Sequence, residues 1–299
     1  MNICLGIYGI SKYHNDQSGY GVVTKAEALD ILFASLQRDI TLIDTAPGYG
    51  NGSASTLLKL CVDNGYSFQV NTKVGLDIDT GKFSTDLITY HLEHIAKTKP
   101  IDYNTIFLHN PPSQFLNDLN FLEYFSSNVQ DYLGSQMKVG ISLASPHDII
   151  NIHPDFDFQA IQSNLSWIDL RLLEYSSSLQ SLEVYPRSVF GSGIIPILLS
   201  QLNSSDEFDL SSVYFPANDI RSSWDLDNML LRLSPDIDRL KRISKFLKST
   251  DPSIIATSLY EHLPFSSVPI IGCMNTQELV QTVSAFKLSH SRELTKFLA

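Results

Sequence analysis

Leu42-Ile43-Asp44-Thr45-Ala46-Pro47-Gly48-Tyr49-Gly50 is an apolar run that ends on a carboxylate and then turns through Pro-Gly onto a tyrosine. Residues 41–46 read as a buried strand, and two later segments repeat the form. Val70-Asn71-Thr72-Lys73 ends an apolar run on an ammonium, and Phe107-Leu108-His109 ends one on an imidazole. Any of these groups is costly to bury alone, whereas Asp44, Lys73 and His109 at the same ends of adjacent strands satisfy one another. In a parallel barrel that end is where chemistry sits.

Outward from these segments, strand-like and helix-like stretches alternate. Strands are expected at 3–8, 41–46, 68–74, 105–108, 138–143, 160–165, 184–190 and 268–273. Thr24-Lys25-Ala26-Glu27 is a capping box ahead of Leu29, Leu32, Phe33 and Leu36 at helical spacing. Ile88, Leu92 and Ile95 mark another helix, and Phe121, Leu122, Phe125 and Val129 one that ends at Gly134. Ser145-Pro146 reads as a cap with its first helical residue. The fold class is therefore α/β, a (β/α)8 TIM barrel formed as a single domain over residues 1–299. One insertion, at 204–228, carries Tyr214, Phe215 and Trp224, and a helix is expected to open after it at Ser234-Pro235. Placed after strand seven, it is a candidate loop over substrate or cofactor.

Composition excludes several classes. The 299 residues are 43% hydrophobic with a net charge of −11, which argues against nucleic-acid or anionic-membrane partners. No apolar run approaches the ~18 residues of a membrane span, and no basic leader is evident. Cys4, Cys61 and Cys273 are odd in number, widely spaced and set among apolar residues, so they read as reduced core thiols in a cytoplasmic protein. His91 and His94 read as a solvated helix face, and no metal is expected. Oligomeric state is not legible.

Tyr49 follows Asp44 through the Pro47-Gly48 turn and so joins the cluster. An ammonium nearby favours the phenolate, so Lys73 held by Asp44 is expected to make Tyr49 a stronger acid, with His109 orienting a substrate oxygen.

Four motifs carry a family resemblance: Ile43 to Gly50, Thr72-Lys73-Val74-Gly75, Leu108-His109-Asn110-Pro111 and Gly140-Ile141-Ser142. In order and spacing the chain resembles the aldo-keto reductases, from Leu5-Gly6 through Ile271-Gly272. The resemblance implies a catalytic tetrad of Asp44, Tyr49, Lys73 and His109. It also implies a nicotinamide cofactor, NADP or NAD, and a small-molecule carbonyl substrate. Ser142, Gln162 and Asn164 match positions that hold the carboxamide. Arg187 stands where many members place a stacking aromatic, and Ser188, Phe190, Gly193, Gly272 and Asn275 complete the expected cofactor set. The turn at 273–278 lacks the Lys or Arg that many members use for the 2′-phosphate, leaving the choice of nucleotide open. The stretch from Arg187 to Ile195 is similar to relatives linked to bacterial polysaccharide and surface-sugar biosynthesis, which points to a sugar or nucleotide-sugar carbonyl. The competing reading is a noncatalytic cofactor-sensing or binding protein that keeps the fold.

Overall fold

The computed structural model describes residues 2–13, 19–98, 101–202, 213–217, 219–288 and 292–298. Among them, eight parallel strands form one sheet: β1 (Cys4–Gly6), β2 (Leu42–Asp44), β3 (Gln69–Val74), β4 (Asp102–His109), β5 (Lys138–Ser142), β6 (Ala160–Asn164), β7 (Glu183–Arg187) and β8 (Ile270–Ile271). Their order is β7-β6-β5-β4-β3-β2-β1-β8. The ends meet where the Val268 N–H donates to the Val184 carbonyl at 2.8 Å. The expected strand 268–273 is therefore divided: Val268 bonds β7, and only Ile270–Ile271 pairs with β1.

Alternation decides what each residue faces. Cys4, Phe107, Ala160, Tyr185 and Ile270 pack together inside the barrel, while Ile43, Val70, Ile106, Leu108, Ile141, Ile161 and Val184 belong to the larger core under the helices. Counting by twos from the inner set reaches His109 from Phe107, Gln162 and Asn164 from Ala160, and Arg187 from Tyr185. The inner face thus turns polar toward the carboxyl ends. Gly140 is required here by space, since a Cβ would lie 2.6 Å from the Phe107 ring.

Around the sheet lie α1 (Lys25–Leu36), α2 (Ser53–Asp63), α3 (Thr85–Lys97), α4 (Ser113–Leu116), α5 (Leu119–Leu133), α6 (Ile194–Leu202), α7 (Leu226–Leu247), α8 (Pro252–Thr257) and α9 (Thr276–Ala285). Short 3-10 segments, Pro146–Asn151 and Arg171–Leu179, follow β5 and β6. The capping box of α1 forms as read, with the Thr24 hydroxyl accepting the Glu27 N–H and the Glu27 carboxylate accepting the Thr24 N–H. Trp167, fully buried, donates from its indole to the Ile255 carbonyl at 2.9 Å and ties the exit of β6 to α8.

Two expectations are corrected. Pro235 does not open a helix; it lies inside α7, whose cap is Asp225, accepting the Asn228 N–H at 3.1 Å. Met229, Leu233, Ile237 and Leu240 form one stripe through the proline, so packing outweighs the hydrogen bond that its missing N–H forfeits. The end of the expected insertion, 226–228, accordingly belongs to α7, while residues 204–212 and 218 lie outside the described residues. The second correction concerns His91, which is only 7% exposed: Nδ1 accepts the N–H of Gly75, just beyond β3, at 3.2 Å, while His94 stays exposed.

Burial first, and the neighbouring His94 second, push the His91 imidazole below its ordinary value. Above about pH 6.5 folded and unfolded chains both hold it neutral. As the pH falls below that, the unfolded chain takes up the proton first and stability declines. Urea midpoints measured between pH 7.5 and 5.5 are expected to fall, and to fall less in His91→Gln, whose amide oxygen can still accept from Gly75.

Candidate active site

At the carboxyl end of the barrel, β2, β3 and β4 deliver Asp44, Lys73 and His109 to one inner layer. Lys73, 1% exposed, donates to Asp44 Oδ1 at 2.6 Å, to the Thr45 carbonyl at 3.0 Å and to Tyr49 Oη at 3.1 Å. All three donors of the ammonium are engaged, which is what lets a lysine stay charged in the interior. Tyr49 reaches it from a turn after β2 in which Gly50 and Asn51 are left-handed (φ 59° and 51°). A Cβ on Gly50 would run into the Ser11 carbonyl, so this turn admits glycine alone. The Tyr49 ring packs edge-on against Tyr8 at 5.0 Å and faces His109 at 6.2 Å.

Burial opposes the charge on Lys73, but Asp44 and Tyr49 outweigh it and hold the ammonium above its ordinary value. For Tyr49 burial is the larger influence and raises the phenol; Lys73 pulls it down without reversing the direction. The expectation of a stronger acid is thus corrected: burial makes Tyr49 a weaker acid than a free phenol, and Lys73 limits that rise without reversing it. Burial, then the charges of Lys73 and Arg187, press His109 well below the usual histidine range, so it is a neutral imidazole near pH 7.

The expected carboxamide residues are brought together differently from one another. Gln162 is tied at both ends: its amide nitrogen donates to Asp44 Oδ2 at 2.7 Å and its oxygen accepts from Ser142 Oγ at 2.9 Å. It therefore holds Asp44. Arg187 donates to Asn164 Oδ1 at 2.9 Å, to Ser142 Oγ at 3.2 Å and to the Leu143 carbonyl. A chain of contacts thus runs from Lys73 through Asp44, Gln162 and Ser142 to Arg187. Ser188, left-handed at φ 59°, ends β7 earlier than expected and donates to Asn164 at 3.2 Å.

Beyond β7, Gly191, Ser192 and Gly193 are all left-handed and lead into α6, with Phe190 at the entry. Arg221, from the insertion, packs against Gly193, pairs in two contacts with the buried Asp219 and lies over the Tyr20 and Phe215 rings. Backbone pairing of Gly19 with Asp219 brings this part of the insertion onto the loop after β1. Trp224 is half-buried against Phe215 and the core, while Tyr214 is 82% exposed. At the far side, Gly272 is open to solvent, and Asn275 is spent on its own helix: it caps α9, and Glu278 bonds both its side chain and the Met274 N–H.

Sequence reasoning assigned no role to Tyr8, Tyr20 or Arg221, and quoted Asn110 only as part of a motif. Asn110 directly follows His109 and is left-handed (φ 48°), a conformation that asparagine tolerates. The other three are joined by tertiary contacts that no local pattern encodes.

With this geometry in view, the comparisons are informative. The model of the Aldo/keto reductase family matches residues 2–296, and the chain belongs to that family. None of the curated protein sequences compared with it matches. Among solved structures it is similar to the glycerol dehydrogenase AKR11B4 from Gluconobacter oxydans, with TM-score 0.70 and 16% identity over 99% of this chain and 89% of that one. It is similar to the same degree to the holo form of the aldo-keto reductase AKR11C1 from Bacillus halodurans, with 90% of that chain covered. Family membership supports NAD(P)H-dependent carbonyl reduction as the general class.

Removing one partner of a buried ion pair leaves a charge uncompensated. Lys73→Met is expected to lower unfolding stability by about 3–5 kcal/mol, and adding Asp44→Asn to restore most of it, both read from urea titrations.

Proposed function

We propose that the protein reduces an aldehyde or ketone to an alcohol, with Tyr49 as proton donor and a sugar or nucleotide sugar as substrate. The observation that carries this reading is the buried Lys73 ammonium, shared between Asp44 at 2.6 Å and the Tyr49 hydroxyl at 3.1 Å. A lysine needed only for packing or pairing has no use for the phenol.

A nicotinamide dinucleotide fits the donors on this rim at Asn164 and meets departures at the starts of α6 and α9. Asn164 accepts through its oxygen from Arg187 and Ser188, leaving its amide nitrogen for a carboxamide oxygen. The left-handed turn Gly191–Gly193 leads into α6, but its N–H groups are engaged within the chain: Gly191 donates to the Ser188 carbonyl, Gly193 and Ile195 to that of Phe190 and Ile194 to that of Gly191, while Pro196 has none to give a diphosphate. At the amino terminus of α9, likewise, the Glu278 carboxylate accepts from the Met274 N–H and the Asn275 amide, donors that a 2′-phosphate there would need.

The chemistry that a reduced nicotinamide would supply at this rim is hydride transfer to the carbonyl carbon. Tyr49 donates its proton to the carbonyl oxygen, completing the alcohol, and the phenolate left behind is stabilised by Lys73 until solvent restores the proton. His109, being neutral, directs an N–H at the same oxygen and holds the carbonyl in line without competing as an acid. Asp44, fixed by Gln162, keeps Lys73 charged. The aromatics of the insertion suit the apolar face of a sugar.

Tyr49→Phe is expected to lower kcat by about 10²–10⁴-fold with the Kd for reduced nucleotide unchanged, measured against a panel of aldoses, nucleotide sugars and simple aldehydes. Unchanged turnover removes Tyr49 from the mechanism, and failure of the wild-type chain to turn over any carbonyl while binding nucleotide favours the noncatalytic reading. NADH and NADPH are expected to bind within about tenfold of each other, roughly 1.4 kcal/mol, and Glu278→Gln to shift the balance toward NADPH, both followed by nucleotide fluorescence.

A further inference from the structure

Arg187 is the last residue of β7 and points into the layer that holds Lys73 and His109, so it brings a second cation to the centre of the barrel mouth. Its guanidinium is satisfied by neutral acceptors, Asn164 Oδ1, Ser142 Oγ and the Leu143 carbonyl, with Asn110 Oδ1 at 3.5 Å. No carboxylate lies within ion-pair distance of it among the described residues. By contrast, Arg221 on the same rim is held by Asp219 and Lys73 by Asp44. Asp44 and Lys73 cancel, and Tyr49 and His109 are neutral near pH 7, so the inner layer carries one uncompensated positive charge. A half-buried guanidinium without an anionic partner is costly to maintain, which calls for a role beyond holding β6 and β7 together.

From this placement we infer that Arg187 sets the redox-state preference of the site, favouring the reduced nicotinamide over the oxidised one. The inference rests on the proposed cofactor. A ring that delivers hydride to a carbon whose oxygen touches Tyr49 must lie beside Tyr49 and His109. Ser142 pairs with His109 in the β4–β5 register and carries Arg187 on its hydroxyl, so the guanidinium stands within several ångströms of that ring. Reduced nicotinamide is uncharged and tolerates the neighbour. The oxidised ring is a cation and is repelled by it. A unit charge about 6 Å away at an effective dielectric of roughly 20–40 corresponds to about ten- to hundredfold in affinity. The same charge favours an oxyanion developing on the carbonyl, so Arg187 biases both reactants toward reduction.

Calorimetric titration of the purified protein with NADPH, NADP+, NADH and NAD+ tests this without reference to turnover. The wild-type chain is expected to bind the reduced member of whichever pair it accepts at least tenfold more tightly. In Arg187→Gln that ratio is expected to collapse by tenfold or more, chiefly because the oxidised form binds better. Arg187→Lys, which keeps the charge and loses the planar fork, is expected to retain it. A wild-type ratio near one overturns the inference without recourse to any variant, as does an unchanged ratio in Arg187→Gln or an Arg187→Lys protein that behaves like Arg187→Gln. Binding of neither form by the wild-type protein overturns the cofactor reading beneath it, a result distinguishable from equal binding of both.

Discussion

An ammonium group taken from water into a protein interior loses several kcal/mol of hydration unless its donors and charge are met there. Lys73 meets that condition with Asp44 Oδ1, the Thr45 carbonyl and the Tyr49 hydroxyl, and the upper layer of the barrel follows from it. Asp44 can serve only if its other oxygen is also engaged, which Gln162 does from β6 on the opposite side of the barrel. Gln162 is in turn oriented by Ser142, and Ser142 meets Arg187. One buried charge thus fixes side chains from β2, β3, β5, β6 and β7, and it does so across the barrel interior, where strand pairing alone sets only the neighbours. The same network ties these side chains to one another, as the proposed proton transfer over a hydrogen-bond distance requires.

Asp44, Lys73 and His109 were legible because each interrupts an apolar run at its end, and Tyr49 because a Pro-Gly turn follows directly. The alternation of strands and helices was legible for the same reason: burial on two sides leaves a run of apolar residues, and burial on one leaves a helical stripe. What escaped depends on pairing at long range. His91 sits on a stripe with Ile88, Leu92 and Ile95, but only its bond to Gly75, just beyond β3, shows that it faces inward. Pro235 is a start signal by local rules, and the stripe from Met229 to Leu240 overrides it. Gln162 matched a cofactor position by resemblance, yet its partners are Asp44 and Ser142, which lie 118 and 20 residues away in sequence.

The rim is asymmetric in charge, and this asymmetry bears on which nucleotide and which direction suit the site. Around Tyr49 the excess is positive, through Arg187. At the amino terminus of α9 a carboxylate, Glu278, already satisfies the backbone N–H of Met274 and the amide of Asn275. A helix amino terminus capped by its own carboxylate has little left to offer a dianionic phosphate, and like charges add repulsion. On the proposed cofactor reading, discrimination by the 2′-phosphate is expected to be weak, and selectivity to be concentrated at the redox-active ring. A site arranged as proposed is expected to distinguish reduced from oxidised nucleotide more sharply than one phosphorylation state from the other, because the charge that differs between the redox states would fall beside Arg187 and the charge that differs between the nucleotides beside Glu278.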